Sequence, residues 1–234
     1  MKNLLIKYME DRIRGEVVPL APQKAGPLPV VTISRETGCS GTTVAVKLVQ
    51  RLNQLQAGKK DKKEWKVINK EVIELAAREL ELHPSMLEPV FKGEKKSLLD
   101  EMVLSMSSKY YKSDRQIRKT ITDVIRFYTG QGNVVIIGRA GVVIAHDYPR
   151  ALHIKLQAPV EWRRDVISRK HGISPAEALK YVQETDKSRE KLLSDFRKGA
   201  SGLELFDAVI NCRSFSIDEL AEVIYKLMET KKLI

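Results

Sequence analysis

The chain holds 234 residues, 43% of them hydrophobic, two cysteines and a formal net charge of +11. That length supplies one well-buried domain with room for a smaller insert, and that apolar content argues against wholesale disorder. Its apolar runs fall short of the roughly 20 residues needed to span a bilayer, Cys39 and Cys212 suit neither a disulfide framework nor a zinc site, and the positive charge calls for anionic partners without naming them.

In chain order, residues 1–14 place Leu4, Leu5, Tyr8, Met9 and Ile13 on one helical face. The arm carries charges throughout and lacks an apolar h-region, so it is expected to be neither a signal peptide nor a membrane anchor. A cytoplasmic location is the simplest expectation. "GEVVPLAPQKAGPLP", residues 15–29, holds four prolines and two glycines and reads as a linker. The arm is therefore expected to dock on the main body or on a second copy of the chain, as a homo-oligomer contact.

"LPVVTIS" reads as a buried strand and residues 41–55 as a helix. "GKKDKKEWK", residues 58–66, is the densest basic run and reads as a solvated loop. "EWKVIN" gives a second strand. Residues 70–130 are helical in pattern almost throughout. "NVVIIG", "ALHIKL" and "FDAVINC" are three further short strands with helices between or after them. Ser174-Pro175-Ala176-Glu177 combines a capping box with proline at the first helical position, and Ser216-Ile217-Asp218-Glu219 is a second capping box. Near-continuous apolar strands alternating with helices predict an α/β fold, a parallel sheet covered on both faces in three layers. The expected organisation is an arm and linker over 1–29, a core over 30–69 and 131–234, and a helical insert over 70–130. Zinc-finger spacing, RNA-binding aromatic motifs and heptad-backed basic regions are missing, which weighs against nucleic acid.

The turn after the first strand, "SRETGCSGTT", resembles a phosphate-binding loop. A helix N-terminus offers unpaired N–H groups and a positive dipole end. Gly38 and Gly41 let backbone approach an anion, with Cys39 and Ser40 between them, and Thr42 and Thr43 offer hydroxyls to phosphate or hydrated magnesium. The Gly-Lys-Ser/Thr ending of the full signature is absent: the lysine position reads Gly41 or Thr42, depending on register. Arg35, just before the loop, is the nearest replacement cation, whereas Lys47 reads as a surface residue. Taken alone, the stretch fits phosphate binding and a plain strand–turn–helix junction equally. Cys39 reads mainly as a small residue in a tight loop; a thiol near a helix N-terminus would otherwise have a lowered pKa.

A second strand–loop–helix arrangement, "NVVIIGRAGVVIAHDYP", puts Gly138-Arg139 at the same edge of the sheet. A guanidinium there suits bidentate phosphate recognition. Arg164, Lys170 and Lys187 read as solvated; for Arg163 and Arg189 the two readings stay open. Asp186 and Arg189 share a helical face. His83, His146, His153 and His171 show no ligand spacing.

Together, "SRETGCSG", "IIGRAGVVIAHDYP", "LHIKLQAPVEWRRDV", "ETDKSRE" and "FDAVINCRSFSIDELAEVI" resemble the cytidylate kinases, in particular their divergent cytidylate-kinase-like group, over roughly residues 30–228. The resemblance implies a parallel-sheet core of the P-loop nucleoside monophosphate kinase type with an all-helical, monophosphate-binding insert. It implies ATP and Mg2+ as cofactors, nucleotides as partners, and phosphoryl transfer to CMP or a similar monophosphate. Residues 38–43 would hold the ATP phosphates, Arg139 the acceptor phosphate, and Asp186 and Arg189 the acceptor nucleotide. Arg163 would belong to a mobile lid, with Arg35 completing the catalytic cations. Asn69 stands where the divergent relatives tend to carry aspartate and joins the substrate set. By their place at the loop, and not from the resemblance, Thr43 and Glu36 would attend the magnesium, Glu36 in place of a missing carboxylate. Against bacterial cytidylate kinases, Ile137 and Ala140 replace acidic residues flanking Gly-Arg, and Val182 replaces an arginine. These losses leave a second expectation: a catalytically weak or inactive nucleotide-binding module.

Overall fold

The structure is a computed structural model that describes residues 27–57, 63–69, 71–84, 87, 113–197 and 202–234. The N-terminal arm, the first part of the basic run and the middle of the predicted insert lie outside the described residues. Five strands form one sheet: β1 (Val30–Arg35), β2 (Lys66–Ile68), β3 (Val134–Ile137), β4 (Ala151–Gln157) and β5 (Ala208–Asn211). Every pairing is parallel and the order is β2-β3-β1-β4-β5. The described helices are α1 (Gly41–Leu55), α2 (Glu71–Glu79), α3 (Asp114–Gln131), α4 (Gly141–Ile144), α5 (Val160–His171), α6 (Pro175–Phe196) and α7 (Ile217–Thr230).

The period-two geometry of a strand sends successive side chains to opposite faces. In β1, Val31 and Ile33 join the core under α1 and α7, packing with Leu48, Leu152, Ile154 and Ile224. Val30 faces the other core, with Ile68, Val72, Ile121, Val134 and Ile136 under α2 and α3. Both neighbours in sequence are buried, which is why the strands read as unbroken apolar runs and why the three-layer α/β expectation holds. Ser174 and Ser216 cap α6 and α7 through the predicted reciprocal boxes, and Ser113 does the same for α3. Among the described residues no helix is long and apolar enough to cross a membrane.

One polar pair interrupts the apolar face. Thr32 and His153 sit opposite each other in the β1–β4 register, with Thr32 Oγ1 and His153 Nδ1 2.8 Å apart. Burial pushes the His153 pKa down to about 4, so the ring is neutral and structural rather than a ligand.

The chain leaves central β1 toward β2 and β3 on one side, then crosses to β4 and β5 on the other. Such a reversal opens a crevice beyond the carboxyl ends of the strands. The turns after β1 and β3 and the last residues of β4 meet there.

Candidate active site

The β1 ladder continues one residue past the strand, with Glu36 N–H donating to the Leu156 carbonyl at 2.9 Å. The chain then turns sharply. Gly38 adopts φ +97°, and a Cβ there would meet the Arg163 Cβ, Cα and carbonyl oxygen at 3.1–3.2 Å. Glycine is required on both counts. Ser40 opens α1 in the left-handed region, φ 47°, and its side chain makes no cap. Cys39 N–H donates to the Glu36 carbonyl, and Thr43 and Val44 N–H to that of Ser40. The N–H groups of Gly38, Ser40, Gly41 and Thr42 have no acceptor among the described residues. Ser40, Thr42 and Thr43 are exposed, so this donor-rich turn faces solvent, the arrangement that attracts phosphate.

Arg35 runs from that turn toward β3. A Cβ on Gly41 would lie 3.1 Å from its Cγ, and one on Gly138 would lie 2.0 Å from its Nη1. Among the described residues the guanidinium has neither a carboxylate partner nor a hydrogen-bond acceptor. Burial pushes the Arg35 pKa down to about 9, the Arg189 and Arg139 charges adding to the effect and Asp186 opposing it. Gly138, Arg139 and Ala140 have φ of 62°, 57° and 57°. Two consecutive non-glycine residues held in that region cost about 1–3 kcal/mol each, a strain that fixes Arg139 at the strand end. Beside these residues lies a cavity of about 300 Å³ bounded by five basic side chains, Arg35, Arg139, Lys155, Arg189 and Arg197, against three acidic ones, Glu36, Asp186 and Glu190. The cations are in excess, which favours an anionic occupant.

A second set of charges is spent internally. Arg163 is buried; its Nε donates to the Ala158 carbonyl at 2.8 Å and lies 3.2 Å from Glu36 Oε2. Its Nη1 reaches the Thr37 carbonyl at 3.3 Å and Asp186 Oδ2 at 2.5 Å. Asp186 Oδ1 accepts from Thr37 N–H at 2.8 Å and Thr37 Oγ1 at 2.7 Å. Arg189 Nη1 donates to the Arg35 carbonyl at 3.2 Å and to Thr37 Oγ1 at 3.0 Å. Arg163 and Asp186 thus bolt α5 and α6 to the loop. In this conformation Arg163 is a buried strut rather than a lid arginine facing a crevice, and both Asp186 oxygens are occupied by protein donors.

The other sequence candidates fall in different places. Asn69, at the end of edge strand β2, donates its N–H to Glu71 Oε2 at 2.7 Å and does not line the cavity. Cys39 is buried with the Cys212 Sγ 3.9 Å from its carbonyl oxygen. Its thiol pKa is raised by the hydrogen bond with Cys212 and by burial, which outweigh the helix terminus. Cys39 is therefore an inert packing residue. Lys47 pairs with Asp218 at 3.1 Å, an exposed surface contact. Val182 is buried in a small core with Ile167 and Ala178. Thr43 presents an exposed hydroxyl in the first turn of α1, whereas Glu36 Oε2 is taken by Arg163 and by Ala158 N–H at 3.1 Å. Among the described residues no three His, Cys, Asp or Glu groups converge to cage a metal. Magnesium in phosphoryl-transfer sites needs no such cage, since substrate phosphates and water supply most ligands, so Thr43 with one Glu36 oxygen fits a phosphate-borne ion.

Sequence reasoning missed Thr37, Lys155 and Arg197. Lys155 carried a signal, a lone lysine inside the apolar run "ALHIKL". Arg197, just past α6, carried none.

The sequence profile of the cytidylate kinase-like family matches residues 30–214. No curated protein matches the chain. Among solved structures, an uncharacterized protein from Eubacterium ventriosum ATCC 27560 aligns with a TM-score of 0.60 at 17% identity, covering 86% of this chain and 98% of that one. A shikimate kinase from Acinetobacter baumannii in complex with shikimate aligns with a TM-score of 0.49 at 16% identity, covering 92% and 100%. A shikimate kinase from Bacteroides thetaiotaomicron aligns with a TM-score of 0.48 at 10% identity, covering 86% and 98%. At such identities the likeness to the first of these speaks to fold alone, here the parallel α/β sheet. Since the matching profile spans most of the sequence, the chain belongs to the cytidylate kinase-like family.

Proposed function

We propose that the protein transfers the γ-phosphoryl group of ATP to a nucleoside monophosphate, of the CMP type by family. The observation that carries this reading is the arginine-bounded cavity beside the open loop, with no acid in contact with the Arg35 guanidinium among the described residues. Phosphoryl transfer needs little covalent chemistry from a protein; it needs the acceptor oxygen in line and the spreading charge neutralised. In this reading the N–H groups of Gly38, Ser40, Gly41 and Thr42 hold the ATP phosphates and Arg139, Arg189 and Lys155 hold the acceptor phosphate. Thr43 and the remaining oxygen of Glu36 hold magnesium, which supplies Lewis-acid neutralisation of the phosphates when bound. Arg163 and Asp186 keep the loop in shape, and the 70–130 region, with Asn69 at its entry, contributes the nucleoside side.

An ADP-release assay over CMP, dCMP, UMP, AMP and GMP tests it. Turnover that depends on one of these acceptors and falls with Arg139→Ala is the expected result. A folded protein with none of them turned over refutes the transfer. The second reading, a nucleotide-binding module without turnover, is favoured by one feature: Asp186 already occupies the Thr37 N–H, a donor next to the open loop. Calorimetric binding of ATP that Arg139→Ala abolishes, with zero ADP release, would select it.

A further inference from the structure

We infer that Arg35 and Gly41 are a relocated form of the missing phosphate-loop lysine. The glycine at the lysine position clears the path along which the arginine, launched from the preceding strand, reaches the transferring phosphoryl group. The inference rests on the phosphate-binding reading above and adds to it a catalytic cation and the reason for Gly41.

Three observations carry it. Gly41 is the first residue of α1, with an ordinary helical backbone that tolerates any side chain, so its φ does not explain the glycine. What explains it is space: a Cβ would press on the Arg35 Cβ at 3.2 Å, Cγ at 3.1 Å and Cδ at 3.4 Å, along the whole stem. At the far end Gly138 has φ +62°, which already favours glycine, and a Cβ there would also fall 2.0 Å from Arg35 Nη1. The arginine therefore passes through a slot bounded by two glycines from different segments, its stem against the loop at Gly41 and its charge at Gly138 on the wall of the cation-rich cavity. That is the junction at which a phosphoryl group leaving a nucleotide on the loop would meet an acceptor in the cavity. A half-buried guanidinium with neighbouring cations, whose opposing acid Asp186 is already tied to Arg163 and Thr37, is costly on its own; an anion at that junction removes the cost.

The alternative is that Arg35 packs as a structural side chain and Gly41 reflects nothing but a tight helix start. A charge-relocation experiment separates the two. Binding of inorganic tripolyphosphate and of magnesium–ATP is measured by calorimetry, beside acceptor-dependent ADP release, for wild type, Arg35→Ala, Gly41→Lys and the double variant. Removal of a pre-organised charge stabiliser costs roughly 10²- to 10³-fold in turnover, and a fall of that size in Arg35→Ala, with at least a tenfold weakening of tripolyphosphate binding, is expected. Gly41→Lys alone weakens binding, because the lysine and Arg35 collide. In the Arg35→Ala background the same Gly41→Lys change restores at least tenfold of the lost affinity. A recovery of this kind cannot come from misfolding.

Unchanged tripolyphosphate affinity in Arg35→Ala, no affinity in wild type, or no rescue in the double variant each overturns the inference. Arg35-dependent polyphosphate binding with the rescue, but no turnover of any acceptor, supports the inference while refuting the transfer reaction.

Discussion

Arg163 and Arg35 both touch the loop after β1, and they are treated in opposite ways. Arg163 is wrapped by Glu36, Asp186 and two backbone carbonyls. Arg35 is held in a slot between glycines with other arginines nearby and no acid in contact. A charge whose partners come from the protein contributes to shape; a charge left uncompensated in a crevice is reserved for a ligand. The difference divides the site into a frame and a working edge, and perturbing each side has a different expected readout.

The largest stability effect belongs to the frame. Asp186→Ala takes one of two carboxylates from buried Arg163 and unties Thr37, and with Glu36 still in place the loss falls at the lower end of the roughly 3–5 kcal/mol that breaking a buried pair costs. Urea unfolding should report a loss of that size, whereas a value below about 1 kcal/mol would mean that the bolt carries no strain-bearing load. Next comes a buried group that is uncharged rather than paired. The His153 pKa lies at about 4 in the fold and near 6.5 in the unfolded chain. The unfolded state therefore binds the extra proton between those values, and stability present above pH 6.5 is lost as pH falls toward 4, on the order of 2–3 kcal/mol. Thermal melts of wild type and His153→Gln from pH 7 to pH 4 should converge as the pH drops. Smaller again is a remote, self-satisfied site: Ser174→Ala removes the α6 cap and costs about 1 kcal/mol without altering polyphosphate affinity. The smallest expected stability change is at the working edge itself. Arg35→Met should melt no lower than wild type, because like-charge crowding disappears, while tripolyphosphate binding collapses. A melting point well below wild type would erase the distinction between frame and edge.

Much of the fold was legible because it is written in local patterns. β1, α1, the Ser174 and Ser216 caps and the alternation of strands with helices follow from apolar runs and capping residues a few positions apart. The loop after β1 and Arg139 at the end of β3 were legible as candidates, although the loop by itself read equally as a plain strand–turn–helix junction. Sequence could not separate Arg163 from Arg35, because pairing is decided by residues 23 and more positions away, such as Asp186. Nor could it find Arg197, which lines the cavity together with Lys155 of β4 and Arg139 after β3, residues far from it in the sequence. Asn69 and Asp186 were carried over from a resemblance, and each has backbone or side-chain partners that no pattern along the chain announces.

The sheet order has a consequence for how the protein is made. β1 lies at the centre, and its two neighbours are encoded about a hundred residues later, at Val134–Ile137 and Ala151–Gln157. At synthesis rates of about 5–20 residues per second, the segment Val30–Arg35 waits roughly 5–20 s outside the ribosome before either partner strand exists. During that interval its apolar run is an unpaired edge on both sides, the condition that invites aggregation. Nascent chains should therefore depend on holding chaperones until β4 emerges, and ribosome-stalled chains ending before residue 134 should be the ones captured most strongly.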